Sequence, residues 1–250
     1  MDILQILWLR QMRRYIRSGS RLLGSLGQPI LLLLALGYGI GAIYRRAGEG
    51  NYLEFLVPGI ITQTVLLSAI FWGIIILQDK RFGFLAELLV APVKRLKILL
   101  GSAIGGATIS IIQGTMVFFI SMILGFRPHN WDLVPAAFLV LVFMSVALTC
   151  FGAGIASMVE DFQGFQGINN LLVMPLFFLS SAIYPLNNVP RFLRIVSTIN
   201  PVTYMVDALR YLLSGAAQSH FGITKDLIIM TLTFIVTLTF AVNRFNRIQL

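Results

Sequence analysis

The sequence predicts an all-α integral membrane protein with six transmembrane helices, on three observations. First, the 250-residue chain is 57% apolar and only 12% charged, with a mean hydropathy of +0.85, well outside the balance of soluble domains. Second, six apolar runs approach or exceed the roughly 18 residues that a helix needs to cross a bilayer. They are Leu22–Ile43, Leu56–Leu77, Ile98–Leu124, Leu133–Met158, Ile168–Tyr184 and Leu227–Val242. Third, the runs are continuous rather than alternating, which excludes a transmembrane barrel. In lipid a helix satisfies its own backbone hydrogen bonds. No internal repeat, linker or low-complexity stretch divides the chain, so residues 1–250 form one membrane domain.

The arm before the first run, residues 1–21, carries Arg10, Arg13, Arg14, Arg17 and Arg21 along one helical face, with Trp8, Met12, Tyr15 and Ile16 opposite. A basic stripe against an aromatic one describes a helix lying in the membrane interface. It serves as an orientation anchor or as a brace for a cytoplasmic partner. The first span contains Pro29 and ends among Gly37, Gly39 and Gly41; it is too long for a cleaved leader.

Between the second and third runs, Phe82, Leu85, Leu88 and Leu89 share a helical face, with charges at Lys80, Arg81, Glu87 and Lys94 and a break at Pro92. Residues 79–95 form a short amphipathic helix that rests on lipid or inserts into a groove of another protein. Gly101-x-x-x-Gly105 with Gly106 opens span three, and Gly152-x-Gly154-x-Ala156 closes span four. Such faces let helices approach closely, within a subunit or between two copies. Cys150, the single cysteine, excludes an internal disulfide.

The segment Pro175–Arg210 is broken at Ser180-Ser181, Tyr184-Pro185 and Asn200-Pro201. Proline cannot continue a helix and makes its predecessor extended. Residues 184–213 therefore form short outer pieces, the last of them helix-like, before span six. Asp207 and Arg210, three residues apart, are expected to pair locally.

Lysine and arginine placement sets the orientation. Twelve basic residues lie on the side of the arm, the loop between spans two and three (Lys80, Arg81, Lys94, Arg95 and Lys97) and the tail (Arg244 and Arg247), while the short loops opposite hold only Arg45, Arg46 and Arg127. Both termini are thus cytoplasmic. The loop Val159–Gly167 dissents, with Glu160, Asp161 and no base. The net charge of +9 is explained by anionic headgroups at that face and requires no nucleic acid.

No lysine, arginine, aspartate or glutamate lies within the six runs, which disfavours an ion-coupled carrier. The chain has no Gly-x-x-x-x-Gly-Lys-Ser/Thr phosphate loop, no Gly-x-Ser-x-Gly elbow and no His-Glu-x-x-His pair. His129 and His220 have no second ligand in metal-binding spacing. The chain is therefore read as a non-enzyme without a metal or cofactor of its own. Phe71, Trp72, Phe118, Phe119, Phe177 and Phe178 either line an amphipathic translocation path or fill apolar space.

The start of span two, Tyr52-Leu53-Glu54-Phe55-Leu56-Val57-Pro58-Gly59, the run Glu87–Pro92, and the Asn200-Pro201…Asp207-x-x-Arg210 pairing together resemble the permease subunits of type 2 ABC exporters. Within that family the flavour is of drug or antibiotic export, with polysaccharide and lipid-linked glycan exporters as relatives. The resemblance covers essentially the whole chain. It implies a transporter of two permease copies and two separate ATPase subunits, which supply ATP and Mg, in the plasma membrane of a prokaryote. It implies that Lys80, Arg81, Phe82, Phe84, Leu85, Glu87, Leu88, Ala91, Pro92 and Val93 form the segment that touches the ATPase. It places Pro175, Ser181, Tyr184, Pro185, Pro190, Asn200 and Pro201 in an outer re-entrant gate. An amphipathic or lipid-linked cargo would pass along a path between two copies. The competing readings are a secondary transporter or channel, and a membrane scaffold without ATP-linked turnover.

Overall fold

The structure is a computed structural model that describes residues 3–46, 51–90 and 92–248; at residues 20–23, 42, 45, 46 and 188 it describes the backbone alone. The described residues are helical throughout, without strands. In order they form α1 (Ile3–Ile16), α2 (Gly19–Gly39), α3 (Gly41–Arg46), α4 (Tyr52–Phe71), α5 (Gly73–Arg81), α6 (Phe84–Val90), α7 (Arg95–Ile123), α8 (Val134–Met158), α9 (Phe162–Phe178), α10 (Arg191–Ile199), α11 (Pro201–Ser214) and α12 (Ile223–Asn246).

Among the described residues, four helical segments are long and apolar enough to cross a membrane: Tyr52–Arg81, Arg95–Ile123, Trp131–Met158 and Ile223–Asn246. The fifth predicted span comes out shorter. α9 stops at Phe178 after 17 residues, about 25 Å of helix against a hydrocarbon core of about 30 Å. The predicted run to Tyr184 fails there because Ser181 takes a left-handed backbone (φ 59°). α2, at the first predicted span, is a 21-residue helix whose described apolar stretch is Gly24–Gly39.

α4 is the axis of the bundle, buried along most of its length and packed against α2, α7, α8 and α11. α12 lies along α8, and α1 lies along α7. α9 touches the bundle lightly, chiefly through α4 and α5. The glycine faces of the sequence are spent inside the subunit. A Cβ on Gly105 would strike the side chain of Gln11, one on Gly106 would strike Trp72, and one on Gly152 would lie 2.6 Å from the Ile70 carbonyl oxygen. Gly39 and Gly41, in contrast, face open space.

The interfacial arm is more firmly docked than a helix floating on lipid. Leu7, Gln11, Met12 and Tyr15 are buried, whereas Ile16, assigned by the sequence to the same apolar face, is 71% exposed. Trp8 donates to Thr108 Oγ1, Trp72 donates to Gln11 Oε1 and Gln113 donates to the Tyr15 hydroxyl. These bonds join the arm to α7 and to the break between α4 and α5.

Candidate functional site

Two sequence motifs 150 residues apart interlock at one end of the bundle. Pro58 lies inside α4, and a proline leaves the carbonyl four residues earlier without a helical donor. That carbonyl, on Glu54, accepts a hydrogen bond from Ser214 Oγ of α11 at 2.6 Å. Tyr52 donates to the Ile183 carbonyl at 2.8 Å. Gly59 meets the turn after α9 so closely that a Cβ there would lie 2.4 Å from the Ala182 carbonyl oxygen. Phe55 carries the guanidinium of Arg210, 3.9 Å above its ring.

Arg210 is 2% exposed. Its Nη2 donates to the Ser181 carbonyl at 3.0 Å and to the Phe55 carbonyl at 3.4 Å. Burial lowers its pKa to about 10, partly opposed by Asp207 and then by Tyr44 and Tyr52, so it is charged at neutral pH. The expected Asp207–Arg210 pair does not form. Asp207 turns the other way and accepts from Ser219 Oγ (2.7 Å), the His220 amide (2.9 Å) and the Phe221 amide (2.8 Å). Three donors on a loop outcompete one cation on the same helix, and Arg210 is drawn to carbonyls instead.

Asn200 joins the outer helices. Its side-chain oxygen caps α11 at the Val202 amide (3.0 Å), and its Nδ2 donates to the Leu176 carbonyl of α9 (2.7 Å). Pro201 occupies the first turn of α11, where its missing N–H costs nothing. Pro190 precedes α10, and Pro185 precedes a short 3-10 turn at Leu186–Asn188. Arg194 donates to the carbonyls of Leu186 and Asn187. α10 buries only Ser197 and leaves Phe192, Ile195 and Ile199 exposed. Ser181 is buried, Tyr184 is half-buried, and Pro175 lies inside α9.

At the opposite end, α5 runs on from α4 and turns at Gly83, whose φ of 79° is cheap only for glycine. The segment read as one helix over 79–95 is therefore two pieces, and α6 is only seven residues long. Phe82 caps α5 instead of sharing the face of Leu85; it is 81% exposed while Leu85 is 3% exposed. Phe84, Leu88, Leu89 and Val93 pack partly on the cluster around Leu7, Leu77, Phe165 and Phe245. Lys80 is half-buried; Arg81, Glu87, Val90 and Pro92 are exposed. Ala91 lies outside the described residues. Arg10 of the arm forms an ion pair with Asp79 and sits 4.1 Å above the Phe84 ring. Arg14 donates to Gln78 at 2.6 Å, and Arg81 lies over Phe162 of α9. Arg95 donates to the Asn246 and Ile248 carbonyls, tying down the tail.

The aromatic residues read as a possible path separate into two kinds. Trp72 and Phe177 are buried within the subunit, whereas Phe71 and Phe178 are exposed. Sequence reasoning missed the outward face of α9, which carries Gln163, Gln166, Gly167 and Asn170 ahead of Leu171, Met174 and Phe178. The signal was present as amides recurring every three to four residues. It also missed Asp226, fully buried at the start of α12 beside Asp207, with no donor to either carboxylate oxygen among the described residues.

Comparison with known proteins places these features. Residues 3–214 match the family described as ABC-2 type transporter. The ycf38 transport permease candidate of Cyanophora paradoxa is 30% identical over 208 residues, covering 80% of this chain and 70% of that protein. Nodulation protein J of Rhizobium meliloti is 24% identical over 82% of this chain and 78% of its own. The daunorubicin resistance ABC transporter permease protein DrrB1 of Streptomyces coeruleorubidus is 24% identical over 84% of this chain and 74% of its own. The match takes in the arm, the α5–α6 segment and the Tyr52–Gly59 and Asn200–Arg210 motifs alike, and the chain belongs to the ABC-2 type transporter family of membrane permeases.

Proposed function

We propose that this chain is the permease subunit of an ATP-driven exporter, working as a pair of copies on two separate ATPase subunits. One observation carries the reading: α6 is a short helix with an uncovered face, held rigidly to the membrane bundle. Phe82, Glu87, Val90 and Pro92 are exposed, while the Arg10–Asp79 pair, the Arg14–Gln78 bond and buried Leu85 fix what lies beneath them. A lever needs both properties, since a loose helix would absorb the push of a partner instead of passing it on. α6 follows α4 through α5, so a displacement there would tilt the central helix of the bundle. ATP and Mg bind the partner ATPase and not this chain.

The path runs between two copies along α9. Gln163 and Gln166 stand in the first turns of α9 at the cytoplasmic boundary, and exposed Asn170 continues them into the span, where a side-chain amide facing hydrocarbon is costly. Set against a second copy or a water-lined route, they are solvated, with Phe178 and Met174 giving an apolar continuation. This reading takes six crossings, with α9 the shortest and α10–α11 as re-entrant outer helices. Both termini are cytoplasmic, in the plasma membrane of a prokaryote. The cargo is amphipathic or lipid-linked, and the drug-resistance relative points to the same class.

The test is purification in mild detergent with identification of what co-purifies. Recovery of an ATPase with a phosphate loop, lost or weakened on Phe82→Ala and Glu87→Ala while the variants remain in the membrane, is the expected result. Full retention of that ATPase and of transport in both variants rejects α6 as the coupling element. Recovery of the chain alone, with no nucleotide-dependent behaviour, shifts the reading to a channel or carrier.

A further inference from the structure

A cleft of about 370 Å³ opens between α1, α2, α4, α5 and α7. Its polar lining is Tyr15, Ser25, Gln28, Thr64, Ser68 and Gln113, and its apolar wall includes Leu67, Phe71, Trp72, Ile75 and Ile109. No lysine, arginine, aspartate or glutamate is among the described residues that line it. The volume falls within the range of small-molecule sites, about 300–1,000 Å³, which are typically apolar with a few placed polar groups.

The cleft walls are cross-tied instead of loosely apposed. Gln113 of α7 donates to Tyr15 of α1 at 3.0 Å, and Ser110 of α7 donates to Ser68 of α4 at 3.2 Å. Trp72, one wall of the cleft, is held by Gln11 one turn before Tyr15. Gln11 accepts through Oε1 and keeps its own donor, Nε2, buried and unpartnered among the described residues. The lining residues also straddle the break where α4 ends at Phe71 and α5 begins at Gly73. A body in the cleft thus touches the arm and both halves of the broken helix at once.

We infer that this cleft is a binding site for an uncharged amphiphile, a molecule with an aromatic or aliphatic body and hydroxyl or amide groups, reached from the leaflet on the α1 side. Charge complementarity decides the class. An anionic or cationic guest would meet no counter-charge among the described lining residues, whereas six neutral polar side chains there can exchange hydrogen bonds with hydroxyls and amides. The aromatic wall at Phe71 and Trp72 supplies flat apolar contact. The site is independent of the ATPase reading, since it is built wholly within one copy.

The test uses the purified full chain in nanodiscs and the uncharged dye Nile red. Gly24 lines the mouth of the cleft, and a Cβ added there meets nothing within 4 Å, so Gly24→Phe fills the cleft from open space. Ser68→Phe fills it from the opposite wall. Both variants are checked by thermal melt and gel filtration. Saturable binding by wild type, weakened at least tenfold in Gly24→Phe and Ser68→Phe, is expected. Unchanged saturable affinity in both well-folded variants, or non-saturable partitioning by wild type, overturns the site. Displacement of the dye by dioleoylglycerol added to the bilayer assigns the site to a membrane lipid. Persistence of binding against that lipid assigns it to a soluble amphiphile. Either result upholds the site. The measurement needs no ATPase, so its failure leaves the exporter reading intact and a failed pull-down leaves the cleft intact.

Discussion

Arg210 lies 3.9 Å above the ring of Phe55 and donates to the backbone carbonyl of Ser181 at 3.0 Å. One buried cation thereby clamps α11 onto α4 and onto the turn that ends α9. Ser181 needs that clamp: its left-handed backbone costs a non-glycine residue about 1–3 kcal/mol and persists only where surroundings impose it.

Arg210→Ala removes the stacked cation and leaves a buried carbonyl unmatched, worth together about 3 kcal/mol. Arg210→Lys keeps the charge but loses the planar fork, at about half that cost by the same terms. Thermal melts in detergent should rank wild type above Arg210→Lys above Arg210→Ala. The folded pKa, about 10, lies below the unfolded one, so titration of Arg210 adds stability only as pH rises past it. The gap between wild type and Arg210→Ala should therefore stay flat from mildly acid to mildly alkaline pH. A gap that changes steeply near neutrality contradicts the assignment.

Asp207 and Asp226 should respond in opposite directions. Asp207 accepts three hydrogen bonds from the 219–221 loop, each worth about 1.5–3 kcal/mol to a charged acceptor. Asp207→Ala is expected to lower the melting temperature sharply and to raise hydrogen exchange in that loop. Asp226 receives no donor among the described residues and stands beside Asp207. Asp226→Asn removes one of two adjacent carboxylates and brings donors of its own, so its melting temperature should equal or exceed wild type. A large loss in Asp226→Asn would reveal a partner for the native carboxylate.

The arm should behave as a docked element. Asp79 has a side chain only 12% exposed and an ion pair with Arg10; removing one partner of a buried pair leaves a charge without compensation. Arg10→Ala is expected to raise hydrogen exchange across α1 and to expose the α5–α6 turn to protease. The double variant Arg10→Ala/Asp79→Asn should recover much of that loss, because the stranded carboxylate is gone. Equal protection in wild type and Arg10→Ala would show that the arm is held by its apolar face alone.

Much of this arrangement was legible in the chain itself, and the failures have identifiable causes. The Tyr52–Gly59 and Asn200–Arg210 strings stood out as proline-punctuated motifs, yet nothing local says that Ser214 satisfies the carbonyl freed by Pro58. That bond spans 160 residues. Helical spacing put Phe82 and Leu85 on one face, but Gly83 with its positive φ splits the helix between them. Hydropathy carried the fifth run through to Tyr184, because apolar residues continue after the helix has turned at Ser181. Trp72 suited a translocation path by residue type; its indole N–H instead found Gln11, a polar residue on the arm face that periodicity reads as apolar.

Packing at the break between α4 and α5 yields the last prediction. A Cβ at Gly152 of α8 would lie 2.6 Å from the Ile70 carbonyl oxygen, and one at Gly73 would lie 2.4 Å from the Gly152 carbonyl oxygen. Both obstacles are backbone, so the helices themselves must separate to admit a methyl group, and overpacking of this kind costs about 1–3 kcal/mol. Gly24→Ala and Gly27→Ala meet nothing within 4 Å and instead gain helix propensity, about 0.5–1 kcal/mol each. Gly152→Ala and Gly73→Ala should thus melt lower than wild type while Gly24→Ala and Gly27→Ala melt higher. In the coupling proposed above, a push on α6 would enter α4 at this break, and Gly152→Ala should then lower ATP-driven transport more than its remaining folded fraction explains. Transport that simply tracks folded protein would make the glycine contact a packing feature without a part in coupling.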